Sequence, residues 1–274
     1  MKILKILKFF SFAICILILS SCSSLLTNSK NTETANNQQS VPERTPLNIG
    51  IAITPPFITQ MKQGKLAGPE ITLLNAFADK YLFKLNFFEL TRDELPFALK
   101  RGEVDLIASN YTGKEILDAF IQPCGEHFKL GYRIILSTDT APYINNISQI
   151  NDKKITVYTV VNSDASDFSG SFFDKAACVS LASEDKCIAK VLEEKGNVML
   201  INSRDTQNIL EMSKHKLEPV LGFLGQSSIS WGVKTQNSDL LNKVNSFFEE
   251  YKQNDTYKNL TKSSAMKLII RHEE

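Results

Sequence analysis

The sequence predicts an α/β protein with two lobes, each built on a mainly parallel sheet flanked by helices, and a two-strand hinge between them. Strand and helix patterns alternate over residues 47–108, and the alternation returns over residues 154–201. Such alternation is typical of parallel sheets with right-handed helical crossovers. Two further extended runs, Tyr132–Leu136 and Ile229–Val233, follow the two blocks. Because each run leads from one block toward the other, we predict that they form the hinge.

The individual elements follow from hydrophobic periodicity and from turn residues. In the first block we predict strand 47–53 ending at the loop Pro55-Pro56-Phe57, helix 69–82, strand 84–90, a helix ending at Gly102 and strand 104–108. In the second block we predict strands 154–160, 176–181 and 198–201, helix 184–195, and a later amphipathic helix that starts near Leu240.

The N-terminus resembles the export signal of a bacterial lipoprotein. Three lysines precede an apolar run over residues 9–19, and the sequence Leu-Ser-Ser-Cys then ends at Cys22. The apolar run is too short to cross a bilayer of about 30 Å, which needs roughly 20 residues. Leu-Ser-Ser-Cys resembles the bacterial lipobox, so we predict cleavage before Cys22, acylation of Cys22 (for example with palmitate), and anchoring in the cell envelope, facing the periplasm or the exterior. A retained membrane anchor, or an ordinary cleaved signal, is the alternative.

The chain outside the signal has the composition of a folded domain behind a linker. Residues 23–46 are rich in Ser, Thr, Asn and Gln, which is typical of a flexible tether. Cleavage removes 21 of the 274 residues, leaving 253, and three lysines, so the formal charge falls from +1 to −2. No basic run suggests nucleic-acid binding. We predict a signal peptide at 1–21, a tether at 22–46, lobe 1 at 47–130, lobe 2 at 131–225, and a return crossing with C-terminal helices at 226–274.

The cysteines and histidines do not form a metal-binding pattern. After cleavage and acylation, three thiols remain, and Cys178 and Cys187 are the nearest pair in sequence. Outside the cytoplasm such a pair can oxidise, so a Cys178–Cys187 disulfide is one possibility and free thiols are the other. The three histidines are scattered through the chain. We therefore predict no metal and no cofactor.

Several runs carry a resemblance to a known family. In the first block these are LNIGIAITPPF, GKLAGPEITLLNAFADKY and ELPFALKRGEVDLIASNYT, and in the second part KKITVYTVVNSDAS and WGVKTQNSDLLNKVNSFFEEYKQNDTYKNL. They resemble the family 3 bacterial extracellular solute-binding proteins, the polar amino-acid binding proteins of ABC importers, over Leu47–Leu260. The resemblance implies a periplasmic-binding-protein-like type II fold whose lobes close on a ligand and present it to a membrane permease.

The chain departs from that family at the residues that bind an amino acid. The family holds the ligand carboxylate with an arginine shortly after the strand that ends here in Asp105-Leu106-Ile107. This chain has no arginine there, and Lys114 is the nearby cation. The family holds the ammonium with a second-lobe acid, where this chain has Arg204 followed by Asp205. Thr72 stands where the family has another acid. Both anchors of an amino-acid zwitterion are therefore altered.

The candidate site residues lie on loops that the resemblance places at the cleft. The Phe57 ring could line the ligand-binding site, or it could belong to the hydrophobic core. Ser109, Asn110 and Thr112 follow the third strand, at the edge where open parallel sheets bind ligands. The run Asn162-Ser163-Asp164 precedes a short helix whose backbone N–H groups could hold an anion. Arg204 is either a cleft cation or a surface residue. The predicted ligand-binding residues are Phe57, Ser109, Asn110, Thr112, Asn162, Ser163, Asp164 and Arg204.

These observations favour a membrane-anchored, monomeric solute-binding lipoprotein that captures a small polar ligand, an amino acid or a related organic acid, for an ABC importer. No catalytic residues are predicted. The alternatives are a periplasmic enzyme like cyclohexadienyl dehydratase, acting on prephenate or arogenate, and a degenerate binding or sensor lipoprotein.

Overall fold

A computed structural model describes residues 42–117, 120–194 and 196–271. The predicted signal peptide, Cys22 and residues 22–41 of the predicted tether lie outside these residues. The first strand begins at Thr45. Among the described residues, the first strand therefore begins close to the predicted start at Leu47.

The strands of the described residues agree with the predicted alternation in both blocks. They are β1 (Thr45–Ile51), β2 (Thr59–Gln60), β3 (Leu66–Ala67), β4 (Phe83–Glu89), β5 (Leu106–Thr112), β6 (Ile121–Ser137), β7 (Thr156–Val160), β8 (Ala177–Leu181), β9 (Val198–Asn202) and β10 (Leu217–Lys234). The helices are α1 (Pro69–Tyr81), α2 (Leu95–Arg101), α3 (Gly113–Ile116), α4 (Asp164–Phe172), α5 (Glu184–Glu193), α6 (Thr206–Met212), α7 (Ser238–Tyr251), α8 (Asp255–Leu260) and α9 (Ser264–Ile269).

Local sequence explains where the first helices begin and end. Pro69 stands in the first turn of α1, where its missing N–H is not needed. The preceding Gly68 has φ 119°, and a Cβ there would lie 2.2 Å from the carbonyl oxygen of Phe57, so only glycine fits. Gly102 ends α2 in the left-handed region, with φ 80°. These positions fix the turn between β3 and α1 and the loop between α2 and β5.

The predicted α/β fold is confirmed, with one difference in how the sheets join. Eight of the ten strands in the described residues form one sheet in the order β4-β1-β5-β10-β6-β9-β7-β8, and β2 pairs with β3 in a separate two-stranded sheet. Strands β1, β4 and β5 are parallel to one another, and so are β7, β8 and β9. Strands β6 and β10 pair antiparallel with each other. The two predicted hinge runs are parts of these longer strands, which unite the expected two sheets into one.

Two regions of the sheet have separate hydrophobic cores, and we call them lobe 1 and lobe 2. In lobe 1, helices α1 and α7 cover one face of the sheet, and α2 covers the other face around Leu95 and Leu99. In lobe 2, helices α4 and α5 pack on β7 and β9, with Val157 and Leu200 buried. The predicted lobe boundaries near residues 130 and 225 fall inside β6 and β10, so they stay predictions.

A buried polar network connects α1 to both hinge strands in lobe 1. His127 of β6 lies with Nε2 2.6 Å from Glu70 Oε1, and its Nδ1 lies 2.6 Å from the carbonyl oxygen of Gly125. Trp231 of β10 donates from Nε1 to Glu70 Oε2 at 2.6 Å. The His127 ring also stacks on Phe248 of α7, with ring centroids 4.4 Å apart. Because both imidazole nitrogens face oxygen atoms, a hydrogen lies between Nε2 and Glu70, and the pair carries no net charge.

The possible disulfide between Cys178 and Cys187 is not present, and both residues are free thiols. Cys178 lies on β8, where its Sγ faces α4 and contacts the carbonyl oxygen of Ser169 at 3.5 Å. Cys187 lies on α5 and contacts the carbonyl oxygen of Thr159 at 3.4 Å. The chain moves from β7 to β8 through α4, then back past β7 to β9 through α5. Right-handed crossovers in opposite directions place α4 and α5 on opposite faces, so the sheet separates the two thiols.

Within residues 42–117, 120–194 and 196–271, no helix combines the length and apolar character that crossing a bilayer requires. In the same residues, no group of three or more His, Cys, Asp or Glu side chains is arranged to hold a metal ion.

Candidate functional site

A cleft lies where α3 of lobe 1 faces α4 and the end of β9 in lobe 2. It contains two cavities that share Asp164. The acidic cavity, of about 550 Å³, lies between Glu115 of lobe 1 and two parts of lobe 2, the start of α5 at Glu184 and the 3-10 turn that contains Asp205. The hinge cavity, of about 470 Å³, is lined by Thr112, by Tyr132 of β6 and by residues 226–228 of β10. Small polar ligands occupy cavities of this size.

An ion pair between Arg204 and Glu115 crosses the cleft. Arg204 donates from Nη1 to Glu115 Oε2 at 2.6 Å, and its Nη2 donates to Glu115 Oε1. Nη1 also donates to the carbonyl oxygen of Asn110 at 3.2 Å, and Nε lies 3.4 Å from Asp205 Oδ1. The Arg204 side chain is only 4% exposed and that of Glu115 is 19% exposed. A bidentate guanidinium–carboxylate pair therefore holds lobe 2 against lobe 1.

The surrounding charges keep Glu115 ionised. Burial alone would raise its pKa, but the guanidinium groups of Arg204 and Arg92 and the N–H of Thr112 outweigh burial and lower the pKa from 4.5 to about 2. Arg92 Nη2 lies 3.3 Å from Glu115 Oε2. The Thr112 N–H donates to the same oxygen at 2.7 Å. One lobe 1 carboxylate thus accepts from two arginines, one in each lobe.

Asp164 stands in the first turn of α4 and brings a second carboxylate into the cleft. It is 7% exposed. Its Oδ2 accepts from Asn202 Nδ2 at 2.8 Å, whereas its buried Oδ1 has no hydrogen-bond partner. Burial raises the pKa of Asp164, and the charge on Arg204 counteracts only part of that shift. The carboxylate is therefore short of positive charge or of hydrogen-bond donors.

Two further buried oxygen atoms near the cleft also lack partners, and both belong to lobe 1. They are Asn110 Oδ1 and Thr112 Oγ1, on residues that are 6% and 3% exposed. One buried nitrogen near the cleft, Arg92 Nε, also lacks a partner. Asn110 has φ 45°, a left-handed conformation uncommon for a residue with a side chain. Buried polar atoms are normally hydrogen-bonded, so these two oxygen atoms and Asp164 Oδ1 point to an absent polar partner. All three belong to residues predicted from the sequence as ligand contacts.

Two predicted contacts, Phe57 and Ser109, lie in the protein interior instead. Phe57 is fully buried in the lobe 1 core, with its ring centroid 5.9 Å from that of Phe128, so the core alternative holds. Ser109 is also fully buried, and its Oγ accepts from the N–H of Ala52 at 3.1 Å and donates to the carbonyl oxygen of Ala52 at 3.2 Å. It joins β5 to β1 because β5 continues through Thr112 instead of ending at Ala108.

The remaining second-lobe predictions lie at the acidic cavity but differ in role. Asn162 is exposed, with φ 61°, in the turn before α4. Ser163 is the N-cap of α4, where its Oγ accepts from Ser166 N at 3.1 Å and donates to the Val160 carbonyl oxygen at 2.7 Å. Its hydroxyl is thereby satisfied within the protein. Lys114, considered as a replacement cation, forms an exposed ion pair with Asp167 of lobe 2.

Sequence reasoning missed Glu115 and Glu184. The family resemblance predicts an arginine in the segment after β5, and Glu115 lies in that segment. Arg204 stands where the resemblance predicts an acid. The sequence therefore contains a signal for the Glu115–Arg204 pair. An acid replaces the expected base in lobe 1, and a base replaces the expected acid in lobe 2.

Glu184 has the properties of a group that titrates near neutral pH. Burial is the main cause that raises its pKa from 4.5 to about 7, and the charge of Asp205 adds to it. Asn208 Nδ2 donates to Glu184 Oε2 at 2.9 Å, which opposes the shift. The folded state therefore holds this proton more tightly than the unfolded chain does. Ionisation between pH 4.5 and 7 then lowers stability.

We expect Glu184→Gln to raise the free energy of unfolding at pH 8 by roughly 1 kcal/mol, after allowance for solvent screening. At pH 4 the gain should disappear, because the wild-type carboxyl is then protonated in both states. Urea unfolding at the two pH values measures the difference. Glu249→Gln, at an exposed position on α7 away from the cleft, serves as the control. An equal loss of stability at both pH values would contradict the assignment.

The fold and the cleft define a two-lobed ligand-binding protein of the type II periplasmic binding class. The chain belongs to the bacterial extracellular solute-binding proteins, family 3, whose family model matches residues 47–264. No curated protein sequence matches the chain significantly.

Solved structures with this fold include several amino-acid binding proteins. A lysine-complexed binding component of an ABC transporter from Wolinella succinogenes DSM 1740 is similar, with TM-score 0.62 and 19% identity over 80% of this chain and 94% of that one. The L-cystine solute receptor of Neisseria gonorrhoeae, in an unliganded open conformation, has TM-score 0.62 and 19% identity over 84% and 96% of the two chains. The ancestral amino-acid-binding protein AncCDT-1, a precursor of cyclohexadienyl dehydratase, has TM-score 0.58 and 20% identity over 79% and 93%.

Proposed function

We propose that this protein is a lipid-anchored solute-binding protein that captures a small polar ligand between its lobes and delivers it, as a monomer, to an ABC permease. The observation that carries the proposal is the set of three unpartnered buried polar atoms, Asn110 Oδ1, Thr112 Oγ1 and Asp164 Oδ1, contributed by both lobes. A ligand that contacts both lobes favours the closed state. The amino-acid ligands of the similar structures support a ligand of comparable size.

A thermal-shift screen of the purified protein against amino acids, organic acids and amines tests this function. A true ligand at 100 times its Kd should stabilise the protein by about 2.7 kcal/mol. Small-angle scattering should then show whether the ligand changes the separation of the lobes. A well-folded protein that responds to no compound in the screen would contradict the proposal.

The lipid anchor is tested at Cys22. We expect the wild-type protein to incorporate labelled palmitate when it is expressed in a bacterial host, and Cys22→Ser to lose the label completely, because the thiol is the point of acylation. Cys178→Ser, which removes an exposed thiol, should keep the label. Palmitate on Cys22→Ser, or none on the wild-type protein, would contradict the anchor.

A dehydratase remains the second candidate because Glu184 places a carboxyl group with a pKa of about 7 at the cleft, as general acids require. An anionic substrate such as prephenate would also need free cations. Arg204 and Arg92 already face Glu115. A direct assay of prephenate consumption, with Glu184→Gln as the inactive comparison, decides between the two functions.

A further inference from the structure

The chemistry of the ligand follows from which charges in the cleft are already paired. Arg204 directs both terminal nitrogens of its guanidinium at Glu115. Arg92 also faces Glu115, through Nη2. Its buried Nε has no partner, but one N–H is not the two-donor fork that binds a carboxylate bidentately. A ligand carboxylate would have to displace Glu115 before the guanidinium fork of Arg204 could hold it.

Negative charge dominates the lining of the acidic cavity. Two guanidinium groups, those of Arg92 and Arg204, face six carboxylates. The carboxylates belong to Asp93, Glu115, Asp164, Glu184, Asp185 and Asp205. Such a lining repels an anion and concentrates a cation.

The unpartnered oxygen of Asp164 provides a second observation. Asp164 is 7% exposed, it lines both cavities, and its buried Oδ1 accepts no hydrogen bond from the protein. Burial also raises its pKa, which an ammonium group in contact would reverse. Thr112 Oγ1 lines the hinge cavity with Asp164 and makes no hydrogen bond of normal geometry, although it faces the Glu115 N–H in the capping box of α3.

The N-terminus of α4 offers no free place for an anion. Helix N-termini attract anions, and the resemblance predicts that a ligand carboxylate would approach this loop. Here Asp164 itself stands in the first turn of α4, so an incoming carboxylate would meet a buried carboxylate. The same position is favourable for an ammonium group, which Asp164 can hold in a charge-assisted hydrogen bond.

We propose that the cleft binds an organic amine that carries no carboxylate, with Asp164 as the contact of its ammonium group and Thr112 as a neighbouring acceptor. The inference rests on the proposed function and names the ligand class of the same cleft. It differs from amino-acid binding in one chemical group, because the protein's own Glu115 occupies the arginine that a ligand carboxylate would need.

Matched ligand pairs test this inference by calorimetry on the full-length protein. The pairs are lysine with 1,5-diaminopentane, ornithine with 1,4-diaminobutane, and arginine with agmatine, and the members of each pair differ by one carboxylate. We expect at least one amine to bind tenfold or more tightly than its amino acid. Tighter binding of the amino acid in every pair overturns the inference and leaves the proposed function standing. Binding of no amine also overturns it, and the broader screen then judges the proposed function separately.

Asp164→Asn tests the contact itself. It keeps the shape of the side chain and should weaken binding of the preferred amine at least tenfold. Asp239→Asn makes the same substitution on α7, in an exposed ion pair with Lys243, and should leave the affinity unchanged. Circular dichroism confirms that both variants fold. Unchanged amine affinity in folded Asp164→Asn overturns the assignment of Asp164.

Discussion

Glu70→Ala is expected to lower the free energy of unfolding by about 3–5 kcal/mol, because it removes one member of a buried, net-neutral pair. The change leaves the imidazole of His127 and the Nε1–H of Trp231 without their partner, both in a fully dehydrated part of lobe 1. It also removes the Glu70 hydrogen bonds that connect α1 to the two hinge strands. For a chain of this size the loss corresponds to a fall in Tm of roughly 6–20 °C. Urea and thermal unfolding measure it.

Glu70→Gln separates hydrogen bonding from charge in this network. The glutamine amide can donate to Nε2 of His127, and its oxygen can accept from Trp231, while Nδ1 of the neutral imidazole still donates to Gly125. We therefore expect a cost of about 1 kcal/mol or less. Glu126→Ala, an exposed position next to His127, should change stability by less than about 0.5 kcal/mol. A glutamine variant as unstable as the alanine variant would show that the charge of the Glu70 carboxyl group, and not hydrogen bonding alone, stabilises this network.

Glu115→Ala is expected to shift the protein from closed toward open lobes. Without Glu115, the 4%-exposed guanidinium of Arg204 would stay buried without its bidentate partner, which costs about 3 kcal/mol or more unless water enters. Separation of the lobes admits that water. An effect of about 3 kcal/mol changes the ratio of closed to open protein roughly 100-fold. The radius of gyration from small-angle scattering, without ligand, should increase.

A double-mutant cycle isolates the ion pair. Arg204→Ala removes the other partner, and the double variant leaves neither charge unpaired, so its loss should be smaller than the sum of the two single losses by roughly 0.5–3 kcal/mol. Lys114→Ala is the matched control, since it removes an interlobe pair whose side chains are 64% and 61% exposed. That change should cost less than about 1 kcal/mol. Additive losses would contradict direct coupling.

The same pair gives the closed form a defined dependence on pH. The pKa of Glu115 is lowered from 4.5 to about 2, so its contribution is complete above pH 4.5 and is lost as the pH falls toward 2. The wild-type lobes should open across this range. Glu115→Ala should lack this part of the transition.

The sequence predicted the elements of the fold well because their signals are local. Apolar spacing in α1, the glycine after α2 and the alternation in β1 each depend on a few neighbouring residues. The main deviation concerned length: β5 runs through Thr112, and the hinge runs belong to the much longer β6 and β10. Pairing with distant strands extends these elements beyond what the local pattern indicates.

Some of the predicted contact residues line the cleft and others do not. Thr112, Asp164 and Arg204 line its two cavities, and Asn110 lines a smaller neighbouring cavity with Arg204, because loops at strand ends converge there in an α/β fold. Phe57 and Ser109 do not, because burial decides between core and cleft for residues beside a strand end. Whether Cys178 meets Cys187 likewise depends on which face of the sheet each helix covers.

The sequence by itself determined the two-block α/β order, the family resemblance, the lipobox at Cys22 as a prediction, and the fact that both amino-acid anchors are altered. Only the tertiary structure decided what the altered residues do. Glu115 and Arg204 are 89 positions apart in sequence, and their pairing exists because the two lobes bring them within hydrogen-bond distance. Side-chain identity specifies which charges are available, whereas the packing of the lobes specifies which of them neutralise each other and which, such as Asp164, keep an oxygen without a hydrogen-bond partner.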